Sequence, residues 1–165
     1  MDRDQRNATD RITDMRQQVP LLFGVSMSIE FRIHPESTRG FYFDVIVFPT
    51  KKSMREYAVT EKGGPAYFRK ADAATLGMYR TDKRARPTKF LGACIFHEKA
   101  LTPEIIAHEA THAAIRWAQA TQIQPVPELK DGHCSDDEER FCYVVGRLTE
   151  QIAVKCAVAL GHITE

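Results

Sequence analysis

The sequence has no apolar run near the roughly 18 to 20 residues that a membrane-spanning helix requires. It has almost no net charge: 23 Lys and Arg stand against 22 Asp and Glu, for a formal +1. A global field that would draw the chain onto nucleic acid or an anionic membrane is therefore excluded, and any charged partner must be held by a local patch. Cysteine is scarce. Cys94, Cys134, Cys142 and Cys156 make no C-x-x-C pair and no dense framework, so they read as reduced thiols. Cys142 and Cys156 lie on one expected helix about 21 Å apart, too far to pair, and read as small core residues. Internal repeats and low-complexity tracts are absent. The first 18 residues are polar, with four Asp and four Arg and no apolar segment, so no secretory leader is expected and the expected compartment is the cytoplasm.

What remains is an ordinary globular composition: 165 residues, 43% hydrophobic and 27% charged. That is enough chain to bury one core without disulfides. Residues 1–18 are expected to form a flexible or loosely docked arm, and residues 19–165 a single domain. Residues 25–33 alternate apolar and polar, and residues 41–48 (FYFDVIVF) are more continuously apolar; a turn segment at 34–40 joins them. An antiparallel hairpin is predicted. A short helix over 50–59 follows and Gly63-Gly64-Pro65 ends it, while residues 66–90 carry no clear pattern. Residues 91–97 (LGACIFH) read as a third strand. Thr102 as N-cap, Pro103 at the first helical position and Glu104 in the first turn open a helix to about residue 121. Pro125 and Pro127 mark a linker, and Ser135 opens a long helix to about residue 160, ended by Gly161. The expected class is α+β: a small antiparallel or mixed sheet packed against two long helices.

One segment carries chemistry. Ile106-Ala107-His108-Glu109-Ala110-Thr111-His112 contains H-E-x-x-H within the first long helix. Residues i and i+4 share a helix face, so two imidazoles can reach one metal ion while the glutamate beside them takes a proton from water. With six His and twelve Glu in the chain, chance placement gives about 0.015 such matches. With His108 at 0° on a helical wheel, His112 lies near 40° and Glu109 near 100°, while Ile106, Ala110, Ala113 and Trp117 cluster at about 140 to 200°. One side of the helix is built to pack and the other to present imidazoles.

A catalytic zinc needs a third protein ligand and an open position. The acidic run Asp136-Asp137-Glu138-Glu139 opens the second long helix. On these features, residues 91–150 resemble the zincin metallopeptidases of the gluzincin type, which carry H-E-x-x-H on one helix and a glutamate ligand on a following one. The chain is also similar to the minimal single-domain metallopeptidase-like proteins of phages and mobile elements. The metzincin extension is absent, since Trp117-Ala118-Gln119 follows the motif, and residues 1–90 carry no resemblance. The resemblance implies Zn2+ held by His108, His112 and a glutamate, with Glu109 as general base toward a peptide or protein substrate.

The residues leave the third ligand open. Ser135-x-x-Glu138 reads as a capping box, which gives Glu138 a local task. Glu139 shares a face with Cys142, Tyr143, Gly146, Ala153 and Ala157, where the small residues at i+3 and i+7 would allow close approach to the histidine helix, and is preferred. If the apolar stripe Phe141, Val145, Leu148 and Ile152 faces that helix instead, Glu138 becomes the ligand; Asp137 is a third choice. His133, Tyr143 and Tyr79 are candidates for a transition-state donor. The strand at 91–97 is expected at the cleft edge, where its backbone would pair with an extended peptide. His133-Cys134 reads as a ligand, an inhibitory thiolate or a plain polar loop, and His97-Glu98 as cleft lining or a surface turn. The basic run from Arg80 to Lys89 carries five positive charges and one negative, and reads as a solvated loop, a lid or a nucleic-acid contact. The rival to a peptidase is a non-catalytic zinc-containing binding module that contacts protein or nucleic acid through residues 80–89.

Overall fold

The structure, a computed structural model, describes residues 28–36, 40–61, 70–77, 89–124 and 135–163. Strands β1 (Ile29–Ile33) and β2 (Tyr42–Phe48) form the expected antiparallel hairpin, with Ile29 opposite Val47 and Ile33 opposite Phe43. Alternation decides its faces. Ile29, Phe31 and Ile33 turn inward, while exposed Arg32 pairs across the strands with Asp44 at 3.3 Å. Helix α1 (Lys51–Glu56) starts at Thr50, whose hydroxyl accepts from the Ser53 amide at 3.1 Å, and runs into a π-helical turn at Tyr57–Glu61. Strands β3 (Ala73–Gly77) and β4 (Phe90–His97) follow, then helices α2 (Pro103–Thr121) and α3 (Asp136–Ala159).

The four strands form one mixed sheet in the order β1-β2-β4-β3. β4 runs parallel to β2 and antiparallel to β3. A parallel neighbour needs a crossover, and α1 lies within it. The period of two sorts the strand residues between two layers. Phe43, Val45, Val47, Cys94 and Phe96 pack with α2 and α3 on one face. Ile46, Phe48, Ala74, Ala93 and Ile95 pack with Met54 and Ala58 of the α1 segment on the other. The protein is thus α+β, as expected.

Both long helices start where their caps place them. Thr102 accepts from the Ile105 amide at 3.3 Å, and Ser135 from the Glu138 amide at 3.2 Å. β3 is the element that the sequence pattern did not predict. Ala-Ala-Thr-Leu-Gly is short and small, and β-pairing to β4 rather than propensity holds it. Its presence corrects the expectation for residues 91–97. β4 is internal, with backbone partners on both sides, so it cannot take a peptide by strand addition; β3 and β1 are the sheet edges. Where β3 ends, Gly77 faces Gly92, and a Cβ on Gly77 would sit 2.8 Å from Nε of Arg116 on α2. The absence of a side chain at Gly77 thus admits the guanidinium against the strand end.

The arm at 1–18, Tyr79, residues 80–88 of the basic run, and His133-Cys134 lie outside the described residues. Among those described, no helix is long and apolar enough to cross a membrane.

Candidate metal centre and catalytic site

Helix α2 divides as its sequence predicts. Ile106, Ala110, Ala113, Ala114, Trp117 and Ala118 are buried against the sheet and α3, and His108 and His112 stand on the exposed face. The two imidazoles converge. Their Nε2 atoms lie 3.2 Å apart and the rings meet edge to face at 81°. Two nitrogens each about 2.0 to 2.1 Å from one tetrahedral zinc would be separated by about 3.3 Å. The spacing of the pair matches that separation.

Glu109 points away from solvent. It is 5% exposed, the one buried charged residue among those described. Its Oε2 accepts a hydrogen bond from Oγ1 of Thr75 on β3 at 2.7 Å, and the same hydroxyl lies 3.0 Å from the Glu109 carbonyl and 3.7 Å from Sγ of Cys94. Thr75 and Cys94 are register partners in the β3–β4 ladder, so both side chains face α2. Sequence reasoning missed Thr75. The signal was one β-branched polar residue in a stretch of small ones, too weak to mark a strand or a partner for Glu109.

The acidic start of α3 lies beside the end of α2. The Gln124 amide donates to Oδ2 of Asp137 at 3.4 Å, and the Arg140 guanidinium sits 5.4 Å from the Trp117 ring centroid. Trp117 lies about 7.5 Å along the helix axis beyond His112. The apolar stripe of α3 faces the core: Val144, Leu148, Ile152 and Cys156 are buried, with Phe141 and Val145 packed against them. Glu138 shares that side and is half-buried, and its Oε2 is buried with no hydrogen-bond partner among the described residues. Glu139 is on the outward face. So are Tyr143, 75% exposed, and Cys142, and a Cβ on Gly146 would meet nothing. The face of small residues thus looks away from α2. Burying each large apolar side chain of the opposite stripe is worth about 1.5 to 3 kcal/mol, which decides the rotation of the helix. That rotation satisfies the condition stated above for Glu138, yet neither acid is brought to the histidines. Among the described residues no group of three His, Cys, Asp or Glu is assembled for a metal.

Other candidates find structural uses. Nε2 of His97, at the end of β4, lies 3.6 Å from Asp72, which also pairs with Lys51; the Lys51 ammonium holds the Asp72 carboxyl below its ordinary range. The backbone of His34 exchanges hydrogen bonds of 3.1 and 2.8 Å with the Gln151 side chain, tying the end of β1 to α3.

The thiols divide by burial. Cys142 is exposed, a correction to its reading as a core residue. Burial pushes Cys94 and Cys156 up to about 12, with the nearby Glu109 charge adding to the effect at Cys94. A thiol-specific disulfide reagent at pH 8 is expected to label Cys142 in the native protein and Cys94 and Cys156 only on unfolding; equal rates at all three would contradict the packing. Because these thiols stay protonated in the fold while unfolded ones ionise near 9.0, stability falls as pH rises from about 9 toward 12. In comparisons with protein families, curated proteins and solved structures, nothing matches the chain.

Proposed function

We propose that the protein is a zinc-dependent metallopeptidase-like hydrolase, with His108 and His112 as two ligands and Glu109 as general base. The observation that supports this most directly is the 3.2 Å approach of the two Nε2 atoms beside a buried glutamate. A bound zinc would acidify a water and polarise a substrate carbonyl. Glu109 has the chemistry to take the proton of that water and return it to the leaving amine. Oε2 is engaged by Thr75, so Oε1 is the oxygen that exchanges the proton. The third protein ligand is to be sought among the residues offered above, Glu138, Glu139, Asp137 and His133, and binding of the metal would have to bring it to the histidines. Glu138 has a better claim than Glu139, because it lies on the inner side of α3 and carries a buried oxygen with no partner among the described residues. A peptide substrate would lie along the outer edge of β3, the strand that borders Glu109.

A second reading is a metal-binding module without catalysis. It would use the same histidine pair and need no general base. Elemental analysis separates these readings. About one zinc per chain is expected, lost in His108→Ala and in His112→Ala. Both histidines are exposed, so the thermal melts of these variants should stay near that of zinc-free wild type. The true third ligand is the one among Glu138→Gln, Glu139→Gln, Asp137→Asn and His133→Ala that releases the metal. Chelator-sensitive hydrolysis of a peptide mixture supports the peptidase; zinc bound with no hydrolysis supports the module, and protein that takes up no zinc overturns both.

A further inference from the structure

We infer that Thr75 of strand β3 is a positioning residue for Glu109, holding one carboxylate oxygen so that the other is presented for proton exchange. This rests on the metallohydrolase reading. A buried carboxylate must be compensated by donors, and Thr75 Oγ1, 2.7 Å from Oε2, lies at the short distance of a charge-assisted bond. Proton inventory orders the cluster. A hydroxyl has a single hydrogen, and its 2.7 Å contact to Glu109 Oε2 is the shortest of the three it makes, so the Thr75 proton is directed there. Sγ of Cys94 lies farther from the same hydroxyl, at 3.7 Å, and is at most a weak acceptor.

The same hydroxyl lies 3.0 Å from the Glu109 main-chain carbonyl. One group on a neighbouring strand therefore spans both ends of the glutamate, which restricts its rotamers. Thr75 is itself restricted, since a β-branched side chain has few accessible χ1 wells and its strand register aims it at α2. Nothing in the H-E-x-x-H motif encodes this contact; it depends on a strand 34 residues upstream of the glutamate.

The test compares Thr75→Val, which keeps the volume and loses the hydroxyl, with Thr75→Ser, which keeps the hydroxyl. In zinc-free protein, NMR couplings of the Glu109 methylenes should report one rotamer in wild type and in the Ser variant, and rotamer averaging in the Val variant. In zinc-loaded protein, Thr75→Val should lower kcat by about 10- to 100-fold with KM within about twofold, and Thr75→Ser should restore kcat to within about threefold. A Val variant with a single rotamer and wild-type kcat overturns the role, and so does a Ser variant as impaired as Val, since the effect would then be packing. Zinc-loaded wild type that hydrolyses nothing overturns the hydrolase reading and the positioning role with it. An active wild type with an unaffected Val variant overturns only the part given to Thr75.

Discussion

Glu109→Gln should reduce hydrolysis by about 10³-fold while leaving about one zinc on the chain. The substitution is close to isosteric. The amide oxygen can still accept from Thr75 Oγ1, so the β3–α2 contact survives. What disappears is the oxygen that takes and returns a proton. Stability should change little, because relief of a buried charge offsets the weaker hydrogen bond to a neutral acceptor. The measurement is a progress curve on any cleaved peptide, paired with zinc analysis and a thermal melt of the same sample. A Gln variant at wild-type rate would remove Glu109 from the chemistry. A variant that loses zinc would make the glutamate part of the metal-holding set instead. Retained zinc with lost hydrolysis is the combination expected of a base beside the metal.

Gly92→Ala is the second large effect, expected to cost about 3 kcal/mol or more. Gly92 has φ of +145°, a region that side chains rarely enter, and an added Cβ would stand 2.1 Å from the Leu76 carbonyl oxygen. That oxygen belongs to the backbone of β3 and cannot rotate aside, so β3 must move off β4. For a domain of this size the loss corresponds to about 6 to 12 °C in Tm. The displaced strand carries Thr75, so hydrolysis should fall further than the melt alone accounts for. Gly146→Ala is the control. It sits on the exposed face of α3 with open space around its Cβ, and it should stabilise by up to about 1 kcal/mol. If Gly92→Ala melts like wild type, the constraint at the β3–β4 contact is absent.

These two positions show how far the sequence could be read. H-E-x-x-H was legible because both histidines and the glutamate lie within five residues of one helix, and helical geometry relates them without tertiary information. The bounds of α2 and α3 were legible because Thr102, Pro103 and Ser135 act locally on the first turn. The β1–β2 hairpin was legible from alternation. β3 was not, because Ala73–Gly77 gains its strand conformation from β4, and no local preference announces that pairing. The rotation of α3 was equally hidden. One face offered small residues and the other offered Phe141, Leu148 and Ile152, and only the packed core shows that the bulkier stripe was buried. Arg116 against Gly77 was invisible for the same reason: the two lie on segments remote in sequence.

The sheet order has a consequence for how the glutamate behaves over time. β3 is five residues long and, among the described residues, is paired to β4 along one side only, at the sheet edge. Edge elements with few ladder bonds exchange their amide hydrogens by local opening, at a free energy below that of global unfolding. The hydroxyl that grips Glu109 thus belongs to a unit that can come loose while β2, β4 and the two long helices remain closed. Geometry at Glu109 would then have a lifetime of its own, set by the fraying of one short strand and not by the stability of the core.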